Sequence, residues 1–287
     1  MRTLHVDTGR DMRGGQWQAL YLVEQLARRS TEAVLLARAG SPLLKEAASR
    51  KLDVWPLSLK SLALAARQAD LVHAHDARAH TLAAIATGIP LVVSRRVAFP
   101  VKQGFLSRRK YERAKMYLAV SRFVAAQLAA AGVSESKIRV VYDGVPIPAQ
   151  VSSRTGHVVA LAAKPVEIPG IPVDLTANLW EDLASASVFV YKSELEGLGS
   201  AALAALAAGV PVVASAVGGL PEVVDHGRMG FLVTDGDFAS PVKRLLDHPA
   251  LAESMSRAGR ERAEREFSLD VMVEKTLAVY REVLGCS

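Results

Sequence analysis

Short apolar runs alternate with longer segments of helical spacing along the whole chain. In the first half, the runs predict strands at residues 4–6, 33–37, 71–75, 91–94, 117–120 and 138–142. In the second half, they predict strands at residues 158–163, 188–191, 212–214 and 231–233, and helices at 179–185, 200–208, 220–225, 250–266 and 269–284. Strands that alternate with helices are typical of βαβ units and a parallel sheet.

The pattern restarts after the segment Val-Pro-Ile-Pro at residues 145–148. Two prolines within four residues interrupt regular structure, so this segment is typical of a linker. The sequence therefore predicts two doubly wound α/β domains with a cleft between them. In such sheets, ligands bind beyond the carboxyl ends of the strands.

The composition fits two globular domains. Of the 287 residues, 50% are hydrophobic and 22% are charged, so the chain can bury a core and is not intrinsically disordered. The single cysteine, Cys286, excludes a disulfide scaffold and fits a reducing compartment. No signal-peptide pattern precedes the first strand, and Pro211 interrupts the most apolar stretch, so we expect a cytoplasmic protein without a transmembrane helix.

The net charge of +6 is unevenly distributed. Residues 1–150 carry 23 Lys and Arg against 11 Asp and Glu, whereas residues 151–287 carry 12 against 18. The basic half is expected to attract an anion, such as a phosphorylated acceptor, an acidic lipid surface or nucleic acid. Arg95 and Arg96 follow a predicted strand, where two guanidinium groups suit bidentate contacts to phosphate or carboxylate.

A short basic stretch follows these two arginines. Large apolar residues such as Phe105 and Tyr111 are interleaved with its basic members, which are Lys102, Arg108, Arg109, Lys110, Arg113 and Lys115. This interleaving is typical of a segment on an anionic membrane surface, although a solvated helix face has the same composition. No nucleic-acid motif accompanies the charge, so nucleic acid is not an expected partner.

Three further features lie at predicted strand ends. Gly14 and Gly15 separate the first strand from the first helix, where they form either a tight turn or a close approach to an anion. His73 and His75 share a face of their strand, but no further metal ligands with suitable spacing accompany them, so no metal site is predicted. In the later Asp-Gly-Asp segment, Asp237 precedes a helix and is predicted as its N-cap rather than as a cation ligand.

The most informative stretch reads strand, glycine-rich turn, helix and strand, with Glu-Gly-Leu-Gly-Ser at residues 196–200. Such a turn offers backbone N–H groups and a helix N-terminus to a diphosphate, and a carboxylate at its edge accepts hydrogen bonds from sugar hydroxyls. A second glycine turn, Gly-Gly-Leu-Pro-Glu at residues 218–222, follows the next predicted strand. Turns after neighbouring strands should converge on one site.

These stretches together resemble the family 4 (group 1) glycosyltransferases, which have the GT-B fold. The resemblance is carried by residues 189–233 and, in the first half, by residues 13–16, 70–75, 119–121 and 140–145. It implies two Rossmann-like doubly wound parallel-sheet domains: an acceptor domain at residues 1–148 and a shortened donor domain at 149–266. A helix at 267–287 would cross back to the first domain. Arg-Gly-Gly-Gln at 13–16 and Ser-Arg-Arg-Val at 94–97 are most similar to the branch acting on lipopolysaccharide or related envelope glycans.

The resemblance implies retaining transfer of a hexosyl or heptosyl group from a nucleotide diphosphate donor to an envelope glycan or lipid-linked acceptor. It implies no metal and no other cofactor, and a place on the inner face of the membrane. Glu196 matches the motif glutamate that contacts the donor sugar, and His75 is a second catalytic candidate by its position. The implied donor-binding residues are Gly14, Gly15, Lys164, Gly197, Leu198, Gly199, Ser200, Gly218, Gly219 and Glu222. The acceptor-binding candidates are Asp76, Arg95 and Arg96.

Three departures from the family pattern leave the activity open. The second motif glutamate, eight positions after the first, is Ala204 here. Only Lys164 remains of the two cationic residues that clamp the diphosphate, and the second domain lacks about two βα units. A non-catalytic glycan- or lipid-binding relative that acts with a partner enzyme is therefore an alternative. A sugar-phosphate isomerase with a related fold is a third hypothesis, for which we cannot place the catalytic groups.

Overall fold

The computed structural model describes residues 1–99, 104–162 and 166–286 of the chain. The chain divides into two compact units. The N-terminal unit comprises Met1–Gly144 together with Leu269–Ser287, and the C-terminal unit comprises Val145–Ser268. The sequence analysis placed the corresponding boundaries after residues 148 and 266.

The N-terminal unit is built on a seven-stranded parallel sheet. Its strands are β1 (Arg2–Asp7), β2 (Glu32–Ala37), β3 (Val54–Pro56), β4 (Leu71–Ala74), β5 (Leu91–Arg95), β6 (Met116–Ala119) and β7 (Ile138–Val140). The helices between them are α1 (Gly14–Arg28), α2 (Pro42–Ser49), α3 (Leu59–Ala66), α4 (Ala77–Ala86), α5 (Phe105–Arg113) and α6 (Arg122–Ala130). The strand order is β3-β2-β1-β4-β5-β6-β7, so the winding direction reverses between β1 and β4.

Local sequence explains where these elements begin and how deeply they are buried. Strands β4 and β6 are buried along their whole length, as expected of parallel strands that helices cover on both faces. Four of the described helices are preceded by a residue whose side chain accepts a hydrogen bond from a first-turn N–H group, which stabilises the helix N-terminus. These capping residues are Ser41, Ser58, Asp76 and Ser121.

The C-terminal unit contains a five-stranded parallel sheet. Its strands are β8 (His157–Ala162), β9 (Val173–Leu175), β10 (Ala186–Lys192), β11 (Val212–Ser215) and β12 (Gly230–Val233). Its helices are α7 (Leu179–Leu183), α8 (Ser200–Ala207), α9 (Leu220–Val223), α10 (Ala239–Asp247) and α11 (Pro249–Phe267). The strand order is β12-β11-β10-β8-β9.

Helix α8 is the central helix of this unit. Its residues 201–207 are all buried, as expected of a helix that is apolar on every side. Its small side chains allow close packing against α11, where a Cβ on Gly259 would lie only 2.7 Å from the Leu206 Cδ2 atom. At its C-terminal end, Arg260 Nη1 donates to the carbonyl oxygen of Ala207 over 2.9 Å. These contacts fix α8 and leave its N-terminus at the carboxyl edge of the sheet.

The last helix, α12 (Leu269–Leu284), belongs to the N-terminal unit and packs against α1. Tyr280 is fully buried, and its hydroxyl lies 2.5 Å from His73 Nδ1. An ion pair between Arg29 and Asp270 also holds this helix.

The predicted fold class is confirmed, because both units are parallel sheets of the doubly wound type. The predicted helix at residues 269–284 has those bounds in the structure. Strands β3 and β9 were not predicted, since each has only three residues and too little alternation to distinguish it from a loop. Among the described residues, no helix combines the length and the apolar character that crossing a membrane requires.

Replacing Arg260 with Met should destabilise the protein through the C-terminal end of α8. The variant keeps the aliphatic stem but leaves the carbonyl oxygens of Ala207 and Pro148 without their guanidinium donor. We expect the free energy of unfolding to fall by about 2 kcal/mol, measured by chemical denaturation. Arg257→Met on the exposed face of the same helix is the control. Equal stability of the two variants would contradict this role.

Candidate functional site

The two glycine turns of the C-terminal unit lie against each other. They follow the neighbouring parallel strands β10 and β11, and the N–H group of Gly219 donates to the carbonyl oxygen of Glu196 over 3.1 Å. A Cβ on Gly218 would lie 1.9 Å from that oxygen, and one on Gly219 would lie 2.2 Å from the carbonyl oxygen of Gly197. Only glycine fits at 218 and 219, because backbone atoms that cannot move aside occupy the space of a side chain.

The carboxylate of Glu196 is held in place at the start of the first turn. Its Oε1 atom accepts from the N–H group of Gly197 over 2.9 Å, and its Oε2 atom accepts from the Tyr191 hydroxyl over 2.5 Å. Burial and the adjacent Glu196 charge raise the pKa of Tyr191, so the phenol stays protonated as a donor. Each carboxylate oxygen has a second lone pair, so the carboxylate can accept further hydrogen bonds from a ligand.

The first turn leads directly into the N-terminus of α8. Gly199 has φ of +104°, a conformation that glycine adopts without steric cost, and α8 begins at the next residue. The first-turn N–H groups of a helix lack intrahelical partners, and the helix dipole adds positive potential there. This end of α8 therefore suits an anion, and the carboxylate of Glu196 lies at the other end of the same turn.

The structure brings together most of the residues predicted to bind the donor in this unit. Residues 196–200 and the pair Gly218 and Gly219 form one cluster at the carboxyl edge of the sheet. Glu222 lies on α9, where its carbonyl oxygen accepts from Arg262 over 2.9 Å. Ala204 is buried within α8, so packing occupies the position of the missing carboxylate. Lys164 lies outside the described residues.

In the N-terminal unit, polar side chains gather where β1 and β4 end, at the reversal of the strand order. Asp7 closes β1, and its carboxylate accepts from the Gly9 N–H group over 2.8 Å and from Gln16 Nε2 over 3.1 Å. Burial, together with the nearby charge of Asp76, raises the pKa of Asp7. Ligands bind at such reversal points in doubly wound sheets, so this edge is the candidate site of the unit.

Gly14 and Gly15 form the first turn of α1 near this edge. A Cβ on Gly15 would meet no neighbour closer than the Arg96 Cδ atom, at 4.0 Å. Neither residue has a positive φ. The described protein atoms therefore do not require glycine at residue 15.

Asp76 has a structural role in addition to its predicted one. It is the N-cap of α4, and its Oδ1 atom accepts from the N–H groups of Arg78 and Ala79. Its Oδ2 atom lies 2.5 Å from the backbone nitrogen of Thr8, which donates to it. Acceptor binding by Asp76 stays a prediction.

A chain of buried hydrogen bonds runs from Arg96 through two histidines. Arg96 Nη1 lies 3.3 Å from His75 Nδ1, His75 Nε2 lies 3.0 Å from His5 Nδ1, and His5 Nε2 lies 3.0 Å from the Thr3 hydroxyl. A guanidinium can only donate, so His75 accepts at Nδ1 and donates from Nε2. His5 then accepts and donates in the same order, and Thr3 donates to the carbonyl oxygen of Glu32. These hydrogen bonds therefore all run in one direction, from Arg96 to the carbonyl oxygen of Glu32.

Arg96 is anchored by a buried ion pair at the start of this chain. Its Nε atom donates to Asp143 Oδ1 over 2.9 Å, and the two side chains are only 14% and 7% exposed. Arg95 donates to the carbonyl oxygen of Phe99. Both arginines and both ring nitrogens of His75 are thus engaged within the protein, and their roles toward an acceptor or in catalysis stay predictions.

A third buried histidine, His73, lies beside this chain. Its Nε2 atom is 2.8 Å from the Ser94 hydroxyl, and its Nδ1 atom contacts Tyr280. Ring nitrogens of His5, His73 and His75 all lie within 4.8 Å of one another, which is a spacing that a metal ion could use. However, protein partners already engage these nitrogens, and the Arg96 guanidinium beside them disfavours a second cation. The arrangement favours a hydrogen-bonded cluster of neutral imidazoles.

The basic stretch has mixed roles in the structure. Arg113 Nη2 donates to the carbonyl oxygens of Thr87 and Ile89, and Arg108 forms an ion pair with Glu112 on the same helix. Burial, together with the nearby Arg95, lowers the pKa of Lys110. Lys115 is exposed, and Lys102 lies outside the described residues. Membrane contact by this segment and by Arg109 stays a prediction.

In the later Asp-Gly-Asp segment, the side chain of Asp237 caps the start of α10 as predicted, although the N-cap residue itself is Phe238, one position later. Asp237 Oδ1 accepts from the N–H groups of Ala239 and Ser240, and Asp237 Oδ2 accepts from the Ser240 hydroxyl over 2.5 Å. These hydrogen bonds, led by those from Ser240, lower the pKa of Asp237. Asp235 accepts from the N–H group of Asp237, so both carboxylates stabilise the turn before α10.

Sequence reasoning missed several residues of these clusters, including Asp7, His5, Tyr191 and Asp143. A signal for two of them was present, because polar residues 3, 5 and 7 alternate with apolar residues in a strand that is otherwise buried. Three polar side chains on one face of a buried strand need partners. Tyr191 and Asp143 carried no such signal, since their partners are set by loops.

Stability should fall on mild acidification because of the buried histidines. Burial lowers the pKa of His5 to about 3, and burial also holds the pKa values of His73 and His75 well below 6.5. The unfolded chain therefore binds more protons than the folded chain below about pH 6.5. Their stabilising effect is complete above pH 6.5 and declines as the pH falls from there, for His5 down to about pH 3, by up to about 1.4 kcal/mol per pH unit for each histidine.

The variant His75→Gln should reduce this slope by about 1 kcal/mol per pH unit between pH 6 and 5. Chemical denaturation at a series of pH values measures it. Thr87→Val, which removes another buried hydrogen bond of this unit without a titrating group, is the control and should keep the wild-type slope. An unchanged slope in His75→Gln would show that this imidazole is charged in the folded state.

Comparisons with known proteins give family matches in both units. Residues 12–147 match the family model described as Glycosyltransferase Family 4, and residues 173–262 match the one described as Glycosyl transferases group 1. An alpha-maltose-1-phosphate synthase of Mycobacterium tuberculosis is 45% identical over 115 residues, which cover 37% of this chain and 30% of that protein. The capsular polysaccharide biosynthesis glycosyltransferase CapM of Staphylococcus aureus is 34% identical over 101 residues, covering 34% and 27%. The matched part thus spans less than a third of these relatives' length.

Solved structures show the same fold over nearly the whole chain. Anabaena HepE in complex with UDP-glucose has a TM-score of 0.84 at 16% identity, covering 98% of this chain and 100% of that one. A glycosyltransferase from Rickettsia africae has a TM-score of 0.81 at 17% identity, covering 100% and 99%. The family models match segments of both units, and the neighbours share the GT-B architecture. The chain therefore belongs to the group 1, family 4 glycosyltransferases.

Proposed function

We propose that the protein transfers a sugar from a nucleotide diphosphate donor to a glycan or lipid-linked acceptor of the cell envelope, with retention of the anomeric configuration. The observation that carries this proposal is the fixed carboxylate of Glu196 at the head of the paired glycine turns, one turn away from the N-terminus of α8. A carboxylate and a helix N-terminus at the two ends of one short turn suit the two parts of a sugar diphosphate. The carboxylate can bind the sugar, and the helix N-terminus can bind the diphosphate.

The donor is assigned to the C-terminal unit. The N-terminus of α8 and the N–H groups of the turn stabilise the diphosphate, whose negative charge grows as its bond to the sugar breaks. Glu196 accepts hydrogen bonds from sugar hydroxyls through the lone pairs that Tyr191 and Gly197 leave available. Retention follows when the departing diphosphate assists the acceptor hydroxyl on the same face of the sugar. The presence of UDP-glucose in the HepE structure supports a nucleotide sugar as the donor.

The acceptor is assigned to the N-terminal unit, whose basic character favours an anionic molecule. Gly15 is assigned to the donor diphosphate, because its glycine is not explained by neighbouring protein atoms. A bare backbone in the first turn of α1 lets an anion approach the N–H groups closely. The family 4 match of this unit and the relation to a capsular polysaccharide enzyme support an envelope acceptor.

A second candidate function is binding of the glycan or lipid without catalysis, in support of a partner enzyme. The observation that favours it is the burial of Ala204, which leaves no carboxylate at the position of the second motif glutamate. The two candidates differ in donor chemistry. Mass-spectrometric detection of sugar transfer or donor hydrolysis, with a panel of UDP-, GDP- and ADP-linked sugars, supports the first. Absence of donor binding by calorimetry at millimolar ligand, with acceptor binding retained, supports the second.

The substitution Glu196→Gln tests the carboxylate. We expect turnover of the nucleotide sugar to fall at least about a hundredfold, equivalent to about 2.7 kcal/mol of transition-state stabilisation. Affinity for the nucleoside diphosphate alone should change little, because the turn keeps its backbone donors. Glu194→Gln, two residues away on an exposed part of the same turn, should keep wild-type turnover. Full activity of Glu196→Gln would remove the basis of the proposal.

The substitution Gly15→Ala tests the backbone approach. Since a Cβ at this position would meet only the Arg96 Cδ atom, at an unstrained 4.0 Å, the fold should keep its stability within about 0.5 kcal/mol. Affinity for the nucleotide sugar should fall at least about tenfold, because the methyl group occupies space that the diphosphate needs. Gly88→Ala, at a position where a Cβ would meet nothing within 4 Å, is the control. If both variants bind the donor like the wild type, Gly15 is a turn residue only.

A further inference from the structure

A cavity of about 630 Å³ opens at the carboxyl edge of the N-terminal sheet, beside the reversal between β1 and β4. It is open to solvent on one side and is lined by the loops that follow β1, β2 and β3 and by the first turns of α3 and α4. The residues that define it are Leu57, Leu59, Leu62, Leu82, Arg38 and Arg78. Its volume lies in the range of about 300–1,000 Å³ that small-molecule sites occupy.

The walls of this cavity are mainly apolar. Leu62 is fully buried at its base, whereas Leu59 at its opening is 68% exposed to solvent. Leu82 projects from α4 on the opposite side and is half-buried. Removing exposed apolar side chains from water is favourable, so the walls favour a ligand with a hydrocarbon chain.

Two guanidinium groups accompany the apolar walls. Arg38 follows β2, Arg78 lies in the first turn of α4, and both are exposed. Neither side chain forms an ion pair or hydrogen bond with another residue that the structure describes. Most other arginines of this unit do have such partners, as Arg96 and Arg50 show. Two uncompensated cations at one opening suit a phosphate group, which accepts bidentate hydrogen bonds from arginine.

The cavity adjoins the candidate acceptor residues. Thr8 lines it, and the hydroxyl of Thr8 donates to Asp76 Oδ1 over 2.8 Å. A molecule that fills the cavity therefore extends to the same edge of the sheet that carries Asp7 and Asp76.

We propose that this cavity binds the hydrocarbon chain of a phosphate-bearing lipid, with the phosphate on Arg38 and Arg78 and the chain against Leu59 and Leu82. The assignment of this lipid as the acceptor rests on the proposed function, whereas its binding does not. A free polysaccharide would leave the leucines exposed, and a neutral lipid would leave the arginines unpaired. The combination of apolar walls and two cations selects an anionic amphiphile.

The experiment uses decyl phosphate below its micellar concentration as the probe, with binding to the full chain followed by calorimetry. We expect saturable binding at one site. Decyl maltoside, which has the same chain and no charge, and inorganic phosphate, which has no chain, should each bind at least about tenfold more weakly.

Two variants locate the site. The double substitution Arg38→Gln and Arg78→Gln should weaken decyl phosphate binding about tenfold or more and abolish most of its salt dependence. Leu59→Ser should weaken it about tenfold and leave the salt dependence unchanged. Matched controls are Leu64→Ser on α3 and Arg67→Gln at its C-cap, at exposed positions outside the cavity, and both should bind like the wild type.

Equal binding of decyl phosphate and decyl maltoside, or equal effects of Leu59→Ser and Leu64→Ser, would overturn the proposal. Inorganic phosphate that binds as tightly as decyl phosphate would reduce the site to an anion site and overturn it as well. The outcome is separate from the proposed function, because Glu196→Gln should bind decyl phosphate normally. Probe binding by a protein that turns over no nucleotide sugar would keep this inference and refute the transferase.

Discussion

The carbonyl oxygens of Glu196 and Gly197 occupy the space where a side chain at 218 or 219 would stand. This contact between two backbone turns fixes the distance between the ends of β10 and β11, and the polar groups at this edge of the sheet are placed relative to it. The carboxylate of Glu196, the phenol that holds it and the first turn of α8 all lie within this small region. The absence of a side chain at residues 218 and 219 thus sets the positions of the charged and polar groups around them.

In the N-terminal unit, side chains rather than backbone turns fix the arrangement of the polar groups. There, the buried pair of Arg96 and Asp143 imposes one direction of hydrogen bonding on His75 and His5, so that neutral rings can fill the interior of a parallel sheet. Isolated polar groups at such depth would be costly, whereas a fully partnered chain is not. Beside it, Asp7, Asp76 and the cavity lined by Leu59 and Leu82 lie at the edge of the same sheet. One unit offers backbone donors, and the other offers carboxylates, cations and an apolar surface.

Much of this could be predicted from the sequence, for identifiable reasons. The alternation of apolar runs with helical spacing predicted both sheets. The glycine turns at 196–200 and 218–222 were predicted to converge, since strands 188–191 and 212–214 were recognisable as neighbours. The hydrogen-bond and ion-pair partners of individual side chains were harder to predict. That Arg96 meets Asp143 depends on a loop 47 residues away, and that Tyr191 holds Glu196 depends on how that turn folds. Arg38 and Arg78 were not singled out, because only the folded chain brings them to one opening with Leu59.

The N-terminal unit is made of two separate stretches of chain, since α12 returns to it after the whole C-terminal unit. During synthesis on the ribosome, residues 1–144 therefore emerge before the helix that packs on their sheet. Until α12 is made, His73 lacks its hydrogen-bond partner Tyr280. The C-terminal unit, by contrast, is continuous and can fold as soon as it leaves the exit tunnel. The order of maturation is thus reversed relative to the order of translation. A nascent chain stalled before residue 269 should expose an uncovered apolar surface that chaperones recognise.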